Sequence, residues 1–379
     1  MSVSGLKITI FAHMKIAITG TKGIPNRYGG FEQFADQLSV RLAERGHHVW
    51  VYNPRFHPYR ENIYHKVHII LKWCPENLLG PGANYLYDYI CLQDAVRRKA
   101  NIVLQCGYAS AVPAYRMINF MKTILITHLD GMEWQRTKWN KLTQFLIRKA
   151  EKTAVKRSPV LVCDHPEIQE YYKTHHGIEP VYIPYGAEIF CNPDKKVLSQ
   201  FHINPFEYCL IIARLEPENK IHTIINGFLK SGIKEKLIII GDRNTKYGHN
   251  LLHHYDNHSR IIFIENIYDQ TILNNLRHFS KVYFHGHSVG GTNPSLLEAL
   301  AAGSFIIAHD NKFNRYILKD NALYFHNEED IQRILSSEPD WCSQKKKMIR
   351  ANIKVIQENY QWNHITDQYE NLFKQLMNI

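Results

Sequence analysis

The chain has 379 residues, 45% hydrophobic and 21% charged, with a formal net charge of +11 and a pI near 9.1. That length suits two domains with sizeable cores, and no apolar run approaches the ~20 residues of a membrane span. The positive charge favours anionic partners such as phosphates, acidic lipid or nucleic acid, while the seven cysteines are scattered, odd in number and without metal-ligand spacing, which points to a reduced cytoplasmic setting.

Met1 to His13 reads as an upstream extension, and Met14-Lys15-Ile16-Ala17-Ile18 as a natural start. Lys15 to Gly20 is a buried-type strand, followed by a loop rich in Gly, Pro and Asn up to Gly30. Phe31 to Arg45 has Phe31, Phe34, Leu38 and Leu42 on one helical face, Gly46 stops it, and Val49 to Tyr52 resumes a strand. This βαβ opening predicts a parallel sheet. The glycines at 20, 23, 29 and 30 do not fit the dinucleotide fingerprint. Strands follow at Val67–Leu71, Asn101–Gln105, Thr123–Thr127, Pro159–Cys163 and Pro180–Pro184, with helices at Tyr85–Lys99 and Lys138–Arg157.

Ala187 to Pro205 is poorly patterned and is expected to be the interdomain linker. A second alternating set then places strands at Tyr208–Ala213, Lys236–Ile240, Ile261–Ile264, Lys281–Phe284 and Phe305–Ala308. Its helices fall at His222–Leu229, Gln270–His278 and Pro294–Ala302, with a last helix around Tyr360–Met377. The predicted class is α/β, two Rossmann-like doubly wound domains, residues 14–190 and 191–355, facing across a cleft where ligands bind at strand ends.

The most informative stretch is His285 to Gly303, which follows the strand at Lys281–Phe284. Gly290 and Gly291 allow a tight turn and close ligand approach. Asn293 suits an N-cap and Pro294 the first helical position. The helix N-terminus therefore faces a glycine loop, an anion site with Glu298 one turn in. Equally, these residues describe a plain strand–turn–helix with a solvated Glu298.

This run resembles the donor-site signature of retaining glycosyltransferases of family 4, which have the GT-B fold. It is most similar to a bacterial polysaccharide subgroup that includes rhamnosyltransferases and reads His-Ser-Val-Gly-Gly-Thr-Asn-Pro-Ser-Leu-Leu-Glu, as at 287–298 here. The broader family carries a pair of glutamates. Glu298 matches the second, and Gly290 stands where the first would be, a departure that the subgroup shares. The resemblance covers nearly the whole chain from Met14. It implies that the final segment, 356–379, crosses back onto the first domain.

The resemblance also assigns roles. His287, Gly290, Gly291, Thr292, Asn293 and Glu298 become donor-binding residues, with Gly241 and Asn266 in loops that line the nucleotide pocket. Arg214 and Lys220 become the cations that hold the leaving diphosphate. The broad family's lysine falls on Asn219, one residue before Lys220. On the acceptor side, the loop Thr19–Glu32 supplies Arg27, Tyr28, Gly29 and Gly30, and the Asp-Gly-x-Glu-Trp run supplies Asp130 and Glu133 to orient a hydroxyl. His128 becomes a donor-sugar contact. From residue pattern alone, each of these is as well read as an ordinary turn, structural glycine or strand-end histidine.

The expected activity is metal-free transfer of a sugar, L-rhamnose from dTDP-L-rhamnose, to a lipid-linked saccharide acceptor in surface polysaccharide or capsule synthesis. No resident cofactor is expected; the donor is a dTDP- or UDP-linked sugar, and no Asp-x-Asp pair offers a metal–diphosphate site. The helix at 138–157 carries Lys141, Arg148, Lys149, Lys152, Lys156 and Arg157 opposite Leu142, Phe145 and Leu146. It suits peripheral contact with an anionic membrane at the inner face, or simply packs its apolar side on the sheet. Three alternatives stay open: an epimerase on the same fold, a regulator that has lost activity, and a basic nucleic-acid binder. Against the last, the basic residues lack aromatic interleaving, so no nucleic-acid partner is expected.

Overall fold

A computed structural model describes residues 13–379, apart from Asp130, Thr137 and Lys138. The strands are β1 Lys15–Thr19, β2 His48–Pro54, β3 Ile63–Tyr64, β4 Val67–Lys72, β5 Ile102–Cys106, β6 Ile124–His128, β7 Val160–Cys163 and β8 Val181–Tyr182, then β9 Tyr208–Ile212, β10 Lys236–Ile240, β11 Ile261–Ile264, β12 Val282–His285, β13 Ile306–His309 and β14 Leu323–Phe325. The helices are α1 Gly30–Glu44, α2 Glu76–Leu79, α3 Ala83–Arg97, α4 Val112–Met117, α5 Lys141–Arg157, α6 Pro166–His176 and α7 Ile221–Ser231, then α8 Lys246–Tyr255, α9 Gln270–His278, α10 Pro294–Ala301, α11 Lys312–Leu318, α12 Glu328–Ser336, α13 Glu338–Asn359 and α14 Trp362–Met377.

The first sheet has the order β3-β4-β2-β1-β5-β6-β7-β8 and the second β11-β10-β9-β12-β13-β14. The second sheet is parallel throughout; in the first, β3 pairs antiparallel with β4. Buried parallel strands need apolar residues on both faces, which is why Leu237, Ile238, Ile239 and Ile240 run together without alternation, all buried. The strand order of the second sheet reverses between β9 and β12. In such sheets the crevice for ligands opens outside the carboxyl ends of those strands.

By contacts, residues up to His128, with Arg157–Val160 and Thr366–Ile379, make one compact unit; Leu129–Lys156 and Leu161–Ile365 make the other. In the first unit, Arg45 pairs with Asp367 and Glu370, each at 2.7 Å, and Phe34 meets Tyr369 with ring centroids 5.4 Å apart. In the second, the β9–β10–β12 core, with Ile211, Ile239 and Phe284, is covered by Ile221, Ile224 and Phe228 of α7. The stretch read as a linker contains a 3-10 helix, Lys195–Phe201, capped by Asp194. α6, α8, α11, α12, α13 and β14 were not legible from periodicity. Pro166 opens α6 behind a histidine cap, an unusual capping residue, and Gly248 dilutes the pattern of α8.

Candidate active site at the β9–β12 switch point

The second unit gathers its chemistry where the strand order reverses. Asn293 caps α10 by accepting from the Ser295 amide at 3.0 Å, and Pro294 fills the first position. The Ser295 hydroxyl donates to the Ile212 carbonyl at 3.1 Å and lies 2.6 Å from the Tyr283 hydroxyl. The N-terminus of α10 is thereby tied to the end of β9, beside the loop that carries Arg214. The first turn of α10 has no acidic residue, so its positive end is not offset locally. Gly290 has φ +123°, a conformation that favours glycine.

Arg214 is exposed, and its carbonyl accepts from the Asn219 side-chain amide at 2.7 Å. Asn219 is buried at 4% exposure. The family's lysine position is thus filled by an amide that braces the loop. Lys220 sits next to it in the left-handed region, φ 53°, at the start of α7. The neighbouring loops are tightly nested: a Cβ on Gly286 would lie 2.1 Å from the Asn219 carbonyl, and one on Gly241 2.2 Å from that of Ala213. Asn266 is exposed just past β11.

Histidines fill the floor. His285 and His287 stack with centroids 4.4 Å apart and 12° between planes. Burial, with His309 beside it, pushes His285 down to about 3. Burial likewise drives His287 well below its ordinary value, helped by His285, Arg214 and Arg136. His309 is lowered to about 4 by burial and by the Lys220 charge. All three are therefore neutral at physiological pH.

Glu298 is not a solvated carboxylate. Its Oε2 pairs at 2.5 Å with the guanidinium of Arg277 on α9, whose side chain is 1% exposed. Nearby, Asp164 presses on the glycine loop: a Cβ on Gly291 would lie 1.9 Å from its Oδ1. The Thr292 hydroxyl donates to the Asp164 carbonyl, and Thr292 is buried. Glu133 is buried, paired with Arg136 and accepting from the Trp139 indole at 3.1 Å. Arg136 also reaches Glu218 at 3.6 Å. The Glu218 carbonyl accepts from the Ser288 amide at 3.0 Å and hydroxyl at 2.8 Å. Asp130 lies outside the described residues.

In the first unit, the loop before α1 spends its amides on its own carboxylates. The Lys22 amide donates to Glu32 at 2.7 Å and that of Asn26 to Asp36 at 3.0 Å. Arg27, Tyr28 and Gly30 are exposed, and Gly29 opens α1 without a side-chain cap. His128 has no exposed surface, lying between Phe31 and Phe34 at 5.4 and 5.2 Å. A sugar contact by its ring requires those aromatics to move.

Residues 199–355 match the family model described as "Glycosyl transferases group 1", and residues 13–188 match "Domain of unknown function (DUF1972)". Solved structures repeat the fold over nearly the full chain. Sucrose-phosphate synthase from Thermosynechococcus elongatus has a TM-score of 0.79 at 15% identity, covering 96% of this chain and 99% of that one. Anabaena HepE, solved in complex with UDP and glucose, has a TM-score of 0.75 at 13% identity, covering 96% and 100%. The catalytic domain of starch synthase IV from Arabidopsis thaliana, bound to ADP and acarbose, has a TM-score of 0.72 at 12% identity, covering 96% and 99%. No curated protein matches the sequence. The chain has the GT-B fold, and its second half matches the group 1 glycosyl transferases.

Within this fold, the sequence-predicted residues Arg214, Lys220, His287, Gly290, Gly291, Thr292, Asn293 and Glu298 all belong to the second unit and cluster at the ends of β9 and β12. Arg27, Tyr28, Gly29, Gly30 and His128 belong to the first unit. Sequence reasoning missed Arg277, Asp164, Arg136, Glu218, His285 and His309. The His-x-His spacing at 285–287, at the end of β12, was the one signal available in advance.

Proposed function

We propose that this chain moves a glycosyl group from a nucleotide-sugar to a lipid-linked saccharide, with retention at the anomeric carbon and without a metal. What carries the reading is the Ser295–Ile212 hydrogen bond, which sets the positive end of α10, with no acidic residue in its first turn, beside the exposed Arg214. Such a pair suits a diphosphate, whose charge grows on the leaving oxygen as the sugar departs. HepE was solved with UDP-glucose and starch synthase IV with ADP, which supports the same donor class here. In this reading Glu298 takes a ribose or deoxyribose hydroxyl. The departing phosphate takes the acceptor's proton, so no protein base is required. L-rhamnose carried on dTDP is the donor that the motif at 287–298 supports best.

Membrane contact through α5 is part of the proposal. Leu142, Phe145 and Leu146 are 67%, 54% and 51% exposed, so this apolar face is uncovered, with Lys149 lying 4.5 Å from the Phe145 ring centroid. Among the described residues no helix is long and apolar enough to cross a membrane. An exposed apolar stripe flanked by lysines suits adsorption to anionic lipid at the inner face, where a lipid-linked acceptor is found. The test is nucleotide release from dTDP-L-rhamnose and UDP-sugars with a lipid-linked saccharide present. Acceptor-dependent release, unchanged by EDTA, and a product that keeps the donor's anomeric configuration are expected. Release from no donor, or inversion, overturns the reading.

A further inference from the structure

His287 is held unusually firmly for a loop residue. Its carbonyl accepts from the Asn311 and Asn314 side chains at 2.9 and 3.1 Å. Its ring lies flat on that of His285, which is 1% exposed. Among the described residues, neither ring nitrogen of His285 nor Nδ1 of His287 has a hydrogen-bond partner. Buried polar atoms without partners are uncommon and call for an explanation. Here they stand beside Arg214 and the turn into Gly290-Gly291, where the proposed diphosphate binds.

The charges around His287 come from several elements. His285 lies on the same strand end, Arg214 on the loop after β9, and Arg136 on the loop after β6. Arg136 is itself paired with Glu133 and Glu218. Lys220 acts on His309, one strand over. With the ligand absent, burial and these neighbours keep the imidazole neutral. A diphosphate brings two negative charges against the same ring and reverses the balance. The loop also lacks a cation where Asn219 stands.

Resting on the nucleotide-sugar reading, we propose that His287 takes up a proton as the diphosphate enters and, as imidazolium, donates a hydrogen bond to one of its oxygens. The site then meets the leaving group with Arg214, the α10 amides and a cation that forms only on binding. His285 is the rigid neutral platform beneath it. The diphosphate of a nucleotide-sugar has no group that titrates near neutrality, so any proton taken up comes to the protein.

The test is calorimetric binding of UDP-glucose and a dTDP-linked sugar in two buffers of different protonation enthalpy. Wild type should take up a proton near neutrality, with affinity falling up to about tenfold per pH unit as pH rises from the free-state toward the bound-state pKa and levelling off above it. His287→Gln should bind without proton uptake and with a flat profile. Its fold should survive, because the bonds to Asn311 and Asn314 use the backbone carbonyl. Binding without proton linkage in wild type, or linkage that persists in H287Q and H287N, overturns the inference while leaving the donor reading intact. Absence of binding by any nucleotide-sugar overturns both.

Discussion

Two stretches of this chain look alike in sequence: residues 20–30 and residues 285–294 each join a strand to a helix through paired glycines. Folded, they differ in what surrounds them. The first helix places Glu32 in its own first turn, and Glu32 and Asp36 accept the loop amides. The second helix has no acid in its first turn, and its loop is faced by Arg214, Lys220 and three neutral histidines. Glycines before a helix make backbone donors available, but the side chains that fold against them decide whether an anion is welcome.

Substitutions can break that contrast, and the largest effect should come from Arg214→Ala. Loss of a charge-stabilising donor should cost about a hundred- to a thousandfold in turnover, with thermal stability unchanged because Arg214 is exposed. The matched change Arg27→Ala in the first loop should leave nucleotide affinity within about threefold, since Arg27 is exposed in a loop whose amides Glu32 and Asp36 already take. Next comes Glu298→Ala, which strands the buried Arg277 charge. Chemical denaturation should show a loss of about 3 kcal/mol, as when one partner of a buried pair is removed. Retained stability would mean that the pair is not formed.

A glycine pair sharpens the contrast at smaller cost. Gly291→Ala drives a methyl to 1.9 Å from Asp164 Oδ1, whereas a methyl on Gly29 meets Glu32 Oε2 at an ordinary 3.5 Å. The first should lose about 1–3 kcal/mol and weaken nucleotide binding; the second should change stability by less than about 0.5 kcal/mol. A further effect concerns pH. Burial raises the Asp88 carboxyl to about 6, against the pull of Ser110, Lys22 and Gln105. The folded state therefore holds that proton more tightly than the unfolded chain. Its contribution is present below about pH 4 and is lost as pH rises through about 6. Urea midpoints for Asp88→Asn should lack that slope.

Much of this was legible in the sequence for a physical reason. Buried parallel strands are short apolar runs, so β11 and its neighbours read directly, and α9 falls at the expected Gln270–His278. Arg214, Asn293 and Glu298 sit at strand ends or caps, where local pattern carries meaning. Arg277 does not: it lies on an amphipathic helix among Asn274 and His278 and reads as a solvated residue, yet folding buries it against Glu298. Asp164 and Arg136 reach the site from loops more than a hundred and a hundred and fifty residues upstream of Gly291, and no local periodicity encodes such an encounter. The Phe31–His128–Phe34 sandwich is equally invisible, because it joins α1 to the end of β6.

The central claim is that Arg214 and the start of α10 form a diphosphate site. Its most direct test is thermal stability of wild type and Arg214→Ala across dTDP, UDP, GDP and their sugar conjugates. A ligand that binds only the folded state adds ~2.7 kcal/mol at a hundred times its dissociation constant. Stabilisation of wild type by one nucleotide family, lost in Arg214→Ala, is the predicted result. No stabilisation by any nucleotide, or the same stabilisation without Arg214, would contradict it.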